Sequence, residues 1–167
     1  MHKTSGGSWK RLALWLAAPL LVLVLATLVS AKELDLTKAV KVGNGRIMVI
    51  EFTDPDCPFC RKAEAYFQKR SDVTRYIFFI PLKSHPAAKG KVQYILSAKD
   101  KEKAYLELAT GSLEKFKQSE ITPEGIALQK EHEQIAKEQG LNATPIFIIY
   151  GSVVRGFDLN KLVPLLK

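Results

Sequence analysis

Two short, β-rich apolar runs, Arg46–Phe52 (RIMVIEF) and Arg75–Leu82 (RYIFFIPL), bracket a segment with helical spacing. Neither run alternates polar with apolar, so each predicts a strand buried on both faces, hence central in its sheet. The turn Gly43-Asn44-Gly45 leads into the first run. Between the runs, Pro58 suits a first helical position, and Ala63, Tyr66, Phe67 and Arg70 recur at three and four, predicting a helix to about Lys69. Strand, helix and strand at this length imply a parallel pair joined by a right-handed crossover. The chain is therefore α/β, and 167 residues supply one real core.

Residues 84–141 carry helical rather than strand signals. Asp100–Ala109 reads as one helix, stopped by Gly111, and Thr122-Pro123-Glu124 is a cap, proline and acid start for another that ends at Gly140. Ile146–Tyr150 and Val153–Arg155 then flank Gly151-Ser152, expected to be a two-residue hairpin turn with glycine first. Asp158–Leu166 reads as a short closing helix, limited by Pro164.

The N-terminus has a different character. Lys3, Lys10 and Arg11 precede an uninterrupted apolar run, Leu12–Val29, and no acid occurs before Glu33. The run ends in Val29-Ser30-Ala31, with small residues where a signal peptidase cuts. Residues 1–31 are thus expected to be a signal peptide or an N-terminal membrane anchor. Residues 32–40 form a short lead, and 41–167 a catalytic domain with its helical insertion at about 84–141. Either reading exports the rest of the chain, to a periplasmic or other extracytoplasmic place, free or tethered by residues 12–29. The net charge of +8 falls to about +5 without the leader. The remaining bases interleave with acids, as in KDKEKAYLE (Lys99–Glu107), which marks a solvated helix and not a nucleic-acid surface.

The only cysteines, Cys57 and Cys60, lie in FTDPDCPFC (Phe52–Cys60), where the first strand gives way to the helix. A structural disulfide gains most by closing a long loop, and this pair closes a very short one. A structural zinc site needs four ligands, and His85 and His132 lack paired spacing, so no metal is expected. A redox role has a mechanism. A free thiol is only about 3% thiolate at pH 7, and the amides of a helix N-terminus favour the anion at Cys57. Cys60, one turn inward, is expected to be less exposed and to keep its proton. One sulfur attacks a disulfide and the other resolves the mixed disulfide, with the intervening Pro58-Phe59 tuning the pair.

Glu51 is an acid in the middle of a buried run, six residues before Cys57. It is expected to lie beneath the helix start and exchange a proton with Cys60, unless the strand is an edge and the carboxyl faces solvent. In Asn142-Ala143-Thr144-Pro145, the proline ahead of Ile146 gives up a ladder donor. Either it merely starts a strand, or the loop lies against the dithiol and leaves main-chain groups for an extended substrate.

Together these segments resemble the thioredoxin superfamily, and within it the exported disulfide-bond isomerases of the DsbC/DsbG type. FTDPDCPFC followed by RKAEAYF is similar to that family's active-site segment, NATPIFIIYGSVVRGF to its threonine–cis-proline strand and hairpin, and AKDKEKAYLELATG (Ala98–Gly111) to its helical insertion. The resemblance implies a thioredoxin-like fold, a central mixed sheet flanked by helices. It implies Cys57 as nucleophile, Cys60 as resolving cysteine, and Thr144 with a cis Pro145 facing substrate. Glu51 occupies the buried-acid position of such oxidoreductases. Two departures stand out: the isomerases' N-terminal dimerisation domain has no counterpart between Ala31 and the domain, and Ser97 stands where members hold a second cysteine pair.

The expected function is an exported thiol:disulfide oxidoreductase that reduces, forms or isomerises disulfides in exported cysteine-containing proteins. Its only redox group is the Cys57–Cys60 disulfide, with no separate cofactor. A membrane thiol–disulfide donor or acceptor sets its state, and the domain is expected to be a monomer. Two other classes compete. A non-catalytic thioredoxin-like binding domain would tolerate Cys57→Ser. A copper(I) chaperone suits a dithiol, though Met48 is placed in a strand and no histidine lies in the motif.

Overall fold

The computed structural model describes residues 34–111 and 116–167, so the expected signal or anchor segment lies outside the described residues. Among the described residues no helix is long and apolar enough to cross a membrane. Five strands form one sheet: β1 (Val40–Val42), β2 (Ile47–Thr53), β3 (Val73–Phe79), β4 (Ile146–Ile149) and β5 (Ser152–Arg155). Their spatial order is β1-β3-β2-β4-β5, so β2 is central, as its continuous apolar run predicts. β2 and β3 run parallel, joined by helix α1 (Pro58–Phe67), and the other neighbours pair antiparallel. The fold is thioredoxin-like α/β with a mixed sheet.

Side chains alternate across β2. Ile47 and Val49 join Ala63 and Phe67 of α1 in one core, whereas Phe52 packs on the opposite face with Phe78, Ala136 and Ile146. Glu51 and Thr53 keep the period of Ile47 and Val49, so the sheet turns both toward α1. In β3 the same period puts Arg75 on that face, its Cα paired with Val49 in the parallel register.

The insertion contributes helices α2 (Ala88–Ser97), α3 (Lys101–Ala109) and α4 (Pro123–Glu138), of which the sequence named the last two. Asp100 caps α3 by accepting from the Lys103 N–H at 2.9 Å, and the Thr122 hydroxyl caps α4 at 3.1 Å. α2 and α4 pack so closely that a Cβ on Gly125 would sit 2.0 Å from the Ser97 Oγ. His132 of α4 is buried between sheet and lead segment, its Nδ1 accepting from the Phe79 N–H at 3.1 Å and its Nε2 2.8 Å from the Lys38 carbonyl. Burial holds its imidazole down, at a pKa of about 4.

Two boundaries differ from expectation. β3 starts at Val73 and stops at Phe79, short of Leu82, because Pro81 has no N–H to continue the ladder. The β4–β5 turn is Tyr150-Gly151, not Gly151-Ser152: both residues have positive φ, +48° and +79°, which gives the twist a two-residue hairpin favours. The closing helix α5 spans Leu159–Leu165 and packs Leu162 into the α1 core.

Candidate active site

β2 ends at Thr53, and four residues carry the chain to α1. Cys57 is the residue capping α1, with Pro58 in the first turn. The Cys57 N–H donates to the Asp54 carbonyl at 3.1 Å, a turn that delivers the sulfur to the helix end. The Asp54 carboxylate is buried and fixes this turn. It accepts from the Asp56 N–H at 2.7 Å, from the Leu82 N–H at 2.7 Å, and lies 2.9 Å from His85 Nδ1. Asp56 in turn pairs with Lys91 of α2. Sequence reading missed this brace, since nothing in the spacing links residue 54 to 85.

Both cysteines are free thiols. They are about equally covered, Cys57 4% and Cys60 3% exposed, which corrects the expectation that Cys57 is the more open. The cover over Cys57 is the Thr144-Pro145 loop, whose peptide bond is cis; the Cys57 thiol donates to the Thr144 carbonyl at 3.7 Å. Thr144 and Pro145 thus lie where the loop reading placed them, against the dithiol. Phe59, between the cysteines, is 57% exposed and carries the Lys62 ammonium 5.5 Å from its ring centre.

Burial pushes the Cys60 thiol up to about 12, against weaker pulls from the Thr53 and Thr144 hydroxyls and the Asp54 main chain. Cys60 therefore holds its proton at neutral pH.

Glu51 is fully buried, so the edge-strand reading is excluded. It does not stand alone. Arg75 donates to Glu51 Oε2 at 3.1 Å and forks onto Glu64 of α1 at 2.7 and 2.9 Å. The Tyr105 hydroxyl of α3 also donates to Glu64, at 2.7 Å. The guanidinium sits 5.1 Å from the Phe67 ring centre and 5.9 Å from that of Tyr105. Burial pushes the Glu51 carboxyl above its ordinary range; Arg75 pulls it down and the Glu64 charge adds to the rise. The sequence reading did not single out Arg75, which it placed at the first position of the second strand. Glu64, one turn beyond Cys60 on α1, and Tyr105 of α3 were missed as well.

A model of the family described as "Thioredoxin-like domain" matches residues 34–157. The chain belongs to the thioredoxin-like family. It is similar to a disulfide interchange protein from Neisseria gonorrhoeae, at 34% identity over 80% of this chain and 96% of that one, TM-score 0.67. A thioredoxin-like oxidoreductase from Silicibacter pomeroyi matches at 24% identity, covering 77% of this chain and 90% of its own, TM-score 0.63. A periplasmic thioredoxin-like protein from Salmonella enterica serovar Typhimurium matches at 18%, covering 81% and 91%, TM-score 0.56. The last two share the fold. No curated protein matches the chain. These likenesses establish a thioredoxin-like domain without singling out the DsbC/DsbG isomerase branch.

Proposed function

We propose that this thioredoxin-like protein is an exported thiol:disulfide oxidoreductase acting through Cys57 and Cys60. The observation that carries the reading is the placement of the dithiol: Cys57 caps α1 against the Thr144 carbonyl, while Cys60 sits one turn in with its proton held. Cys57, as thiolate, attacks a substrate disulfide; a new S–S bond forms and one substrate sulfur leaves with the electron pair. Cys60 then gives up its proton and attacks Cys57, releasing the second substrate sulfur. The substrate disulfide is reduced to two thiols as the protein's dithiol is oxidised, and the reverse sequence forms a disulfide in substrate. Glu51 is the group that takes or returns the Cys60 proton. The Thr144-Pro145 loop and exposed Phe59 meet the extended substrate.

The leader supports a periplasmic place, and the similar Salmonella protein is described as periplasmic. Substrates are exported proteins with cysteines, and a membrane thiol–disulfide partner resets the pair. A redox titration of the full-length chain against glutathione buffers tests the reading. One two-electron transition, abolished by Cys57→Ser, is expected. A dithiol that does not equilibrate with glutathione, or activity that survives Cys57→Ser, would overturn it.

A further inference from the structure

In the mechanism proposed above, Cys60 releases a proton that it holds at neutral pH, and Glu51 takes it. Something has to join them. Glu51 and Thr53 are two residues apart on β2, so their side chains leave the same face of the sheet. Both are buried, and each ends in an oxygen with no closed hydrogen bond to protein, Glu51 Oε1 and Thr53 Oγ1. A buried hydroxyl beside a buried carboxyl oxygen, both unpaired, is costly unless used. Thr53 and Cys60 line one small cavity with Asp54, Arg61, Glu64 and Tyr105. Its volume is about 10 Å³, room for at most one water and not for a chain of them.

We propose that the Thr53 hydroxyl relays the proton between Cys60 Sγ and Glu51 Oε1. This rests on the oxidoreductase reading and adds a residue to it. As Cys60 attacks Cys57 in the mixed disulfide, its S–H proton passes to Thr53 Oγ1, and the hydrogen already on that oxygen passes to the Glu51 carboxylate. The S–S bond to substrate breaks as the Cys57–Cys60 bond forms, and the departing substrate sulfur takes its proton from water. When the protein's disulfide is opened by an incoming thiolate, the two hydrogens move the other way. Glu51–OH then protonates Cys60 as it leaves.

The Thr53 hydroxyl favours the charged form of both partners, burial being the larger influence on each, which is consistent with its facing the two. The charged and titrating groups around the path are Arg75 from β3, Glu64, Arg61 and Cys57 from α1 and its cap, Tyr105 from α3, and Asp54 from the loop. Arg75 and Tyr105 are engaged with Glu64, and Glu51 Oε1 faces none of these donors within hydrogen-bond reach. Thr144 is the competing hydroxyl, since its Oγ1 is also unpaired and near Cys60.

The test uses the full-length chain and single-turnover opening of its disulfide by dithiothreitol, from pH 5 to 9. Opening needs protonated Glu51, so the wild-type rate, corrected for dithiothreitol thiolate, falls as pH rises through the Glu51 titration. Thr53→Val keeps the shape and removes the hydroxyl; it is expected to slow opening about ten- to hundredfold near neutral pH and to erase that inflection. Thr53→Ser should restore both. Glu51→Gln should match Thr53→Val, and the double variant should be no slower than either alone. An unchanged profile in Thr53→Val, additive losses, or a loss in Thr144→Val alone would overturn the relay. The wild type supplies a check independent of folding: in H₂O–D₂O mixtures, two hydrogens in flight give a curved dependence, and a straight line would refute the proposal. If the wild-type chain exchanges but gives that straight line, only the relay falls. If it does not exchange at all, the oxidoreductase reading falls first.

Discussion

Removing Arg75 should damage the protein in a manner that depends on pH. Its guanidinium is buried, pairs with Glu51 at 3.1 Å and Glu64 at 2.7 Å, and is the cation these two buried carboxyls share. Arg75→Met keeps much of the stem's packing and deletes the charge. Leaving a buried charge without its partner costs about 3–5 kcal/mol. For a domain of this size that is a fall in melting temperature of roughly 10–20 °C. The sign with pH follows from linkage. Without Arg75 the buried Glu51 carboxyl, already raised by burial, loses the cation that pulls it down, so its folded-state affinity for protons rises further above that of the unfolded chain. Such groups contribute stability that is present below the unfolded carboxyl range and lost as pH rises through the folded value. The deficit of Arg75→Met relative to wild type should therefore be largest at pH 7 and shrink toward pH 4.5. Urea unfolding at the two pH values measures it, and adding Glu51→Gln and Glu64→Gln should recover most of the loss at pH 7. A deficit equal at both pH values would mean that packing of the guanidinium, not charge, is what Arg75 supplies.

Alkylation of the reduced protein near pH 6 should label Cys57 well before Cys60, whose proton is held to about pH 12; mass spectrometry of the peptides reads the order, and labelling of Cys60 first would reverse the assigned roles. His132 has a folded pKa of about 4 against an ordinary 6.5, so it contributes stability above pH 6.5 that is lost as pH falls toward 4. The loss is up to about 3 kcal/mol, and His132→Gln should flatten that part of the stability–pH curve; an unaltered curve would show that the imidazole is not the titrating group. The thioredoxin-like domain is expected to be monomeric by light scattering at micromolar concentration, and a stable dimer would favour an isomerase-type assembly.

Where local pattern and burial coincide, the sequence was readable. The apolar run of β2, the proline at the start of α1 and the Thr122-Pro123-Glu124 start of α4 each announce their element, because one residue's chemistry fixes the backbone there. Cys57, Cys60 and Glu51 stood out for the same reason: two thiols at a helix start and an acid where no acid belongs. What escaped was long-range. His85 reaches Asp54 across 31 residues, and Tyr105 reaches Glu64 across 41, through contacts that no periodicity encodes. Helix position alone does not reveal that both cysteines are covered to nearly the same degree. The loop that covers Cys57 comes from the far side of the sequence.

The helical insertion reaches the buried charge cluster through Tyr105 of α3. Two carboxyls share one guanidinium, so the buried cluster balances its charge when one proton remains on it. Glu64 accepts two guanidinium hydrogens and the Tyr105 hydroxyl, whereas Glu51 receives a single contact at 3.1 Å and keeps a bare Oε1. Burial raises the Glu51 carboxyl above its ordinary range, with Arg75 pulling it down, while Glu64 keeps its gathered donors. One of those donors belongs to α3. A chain with the same β2, α1 and β3 but no Tyr105 would leave Glu64 dependent on Arg75 alone for these bonds. The insertion thus touches the buried acids of the proposed mechanism through Tyr105, although it contributes no atom to the disulfide itself.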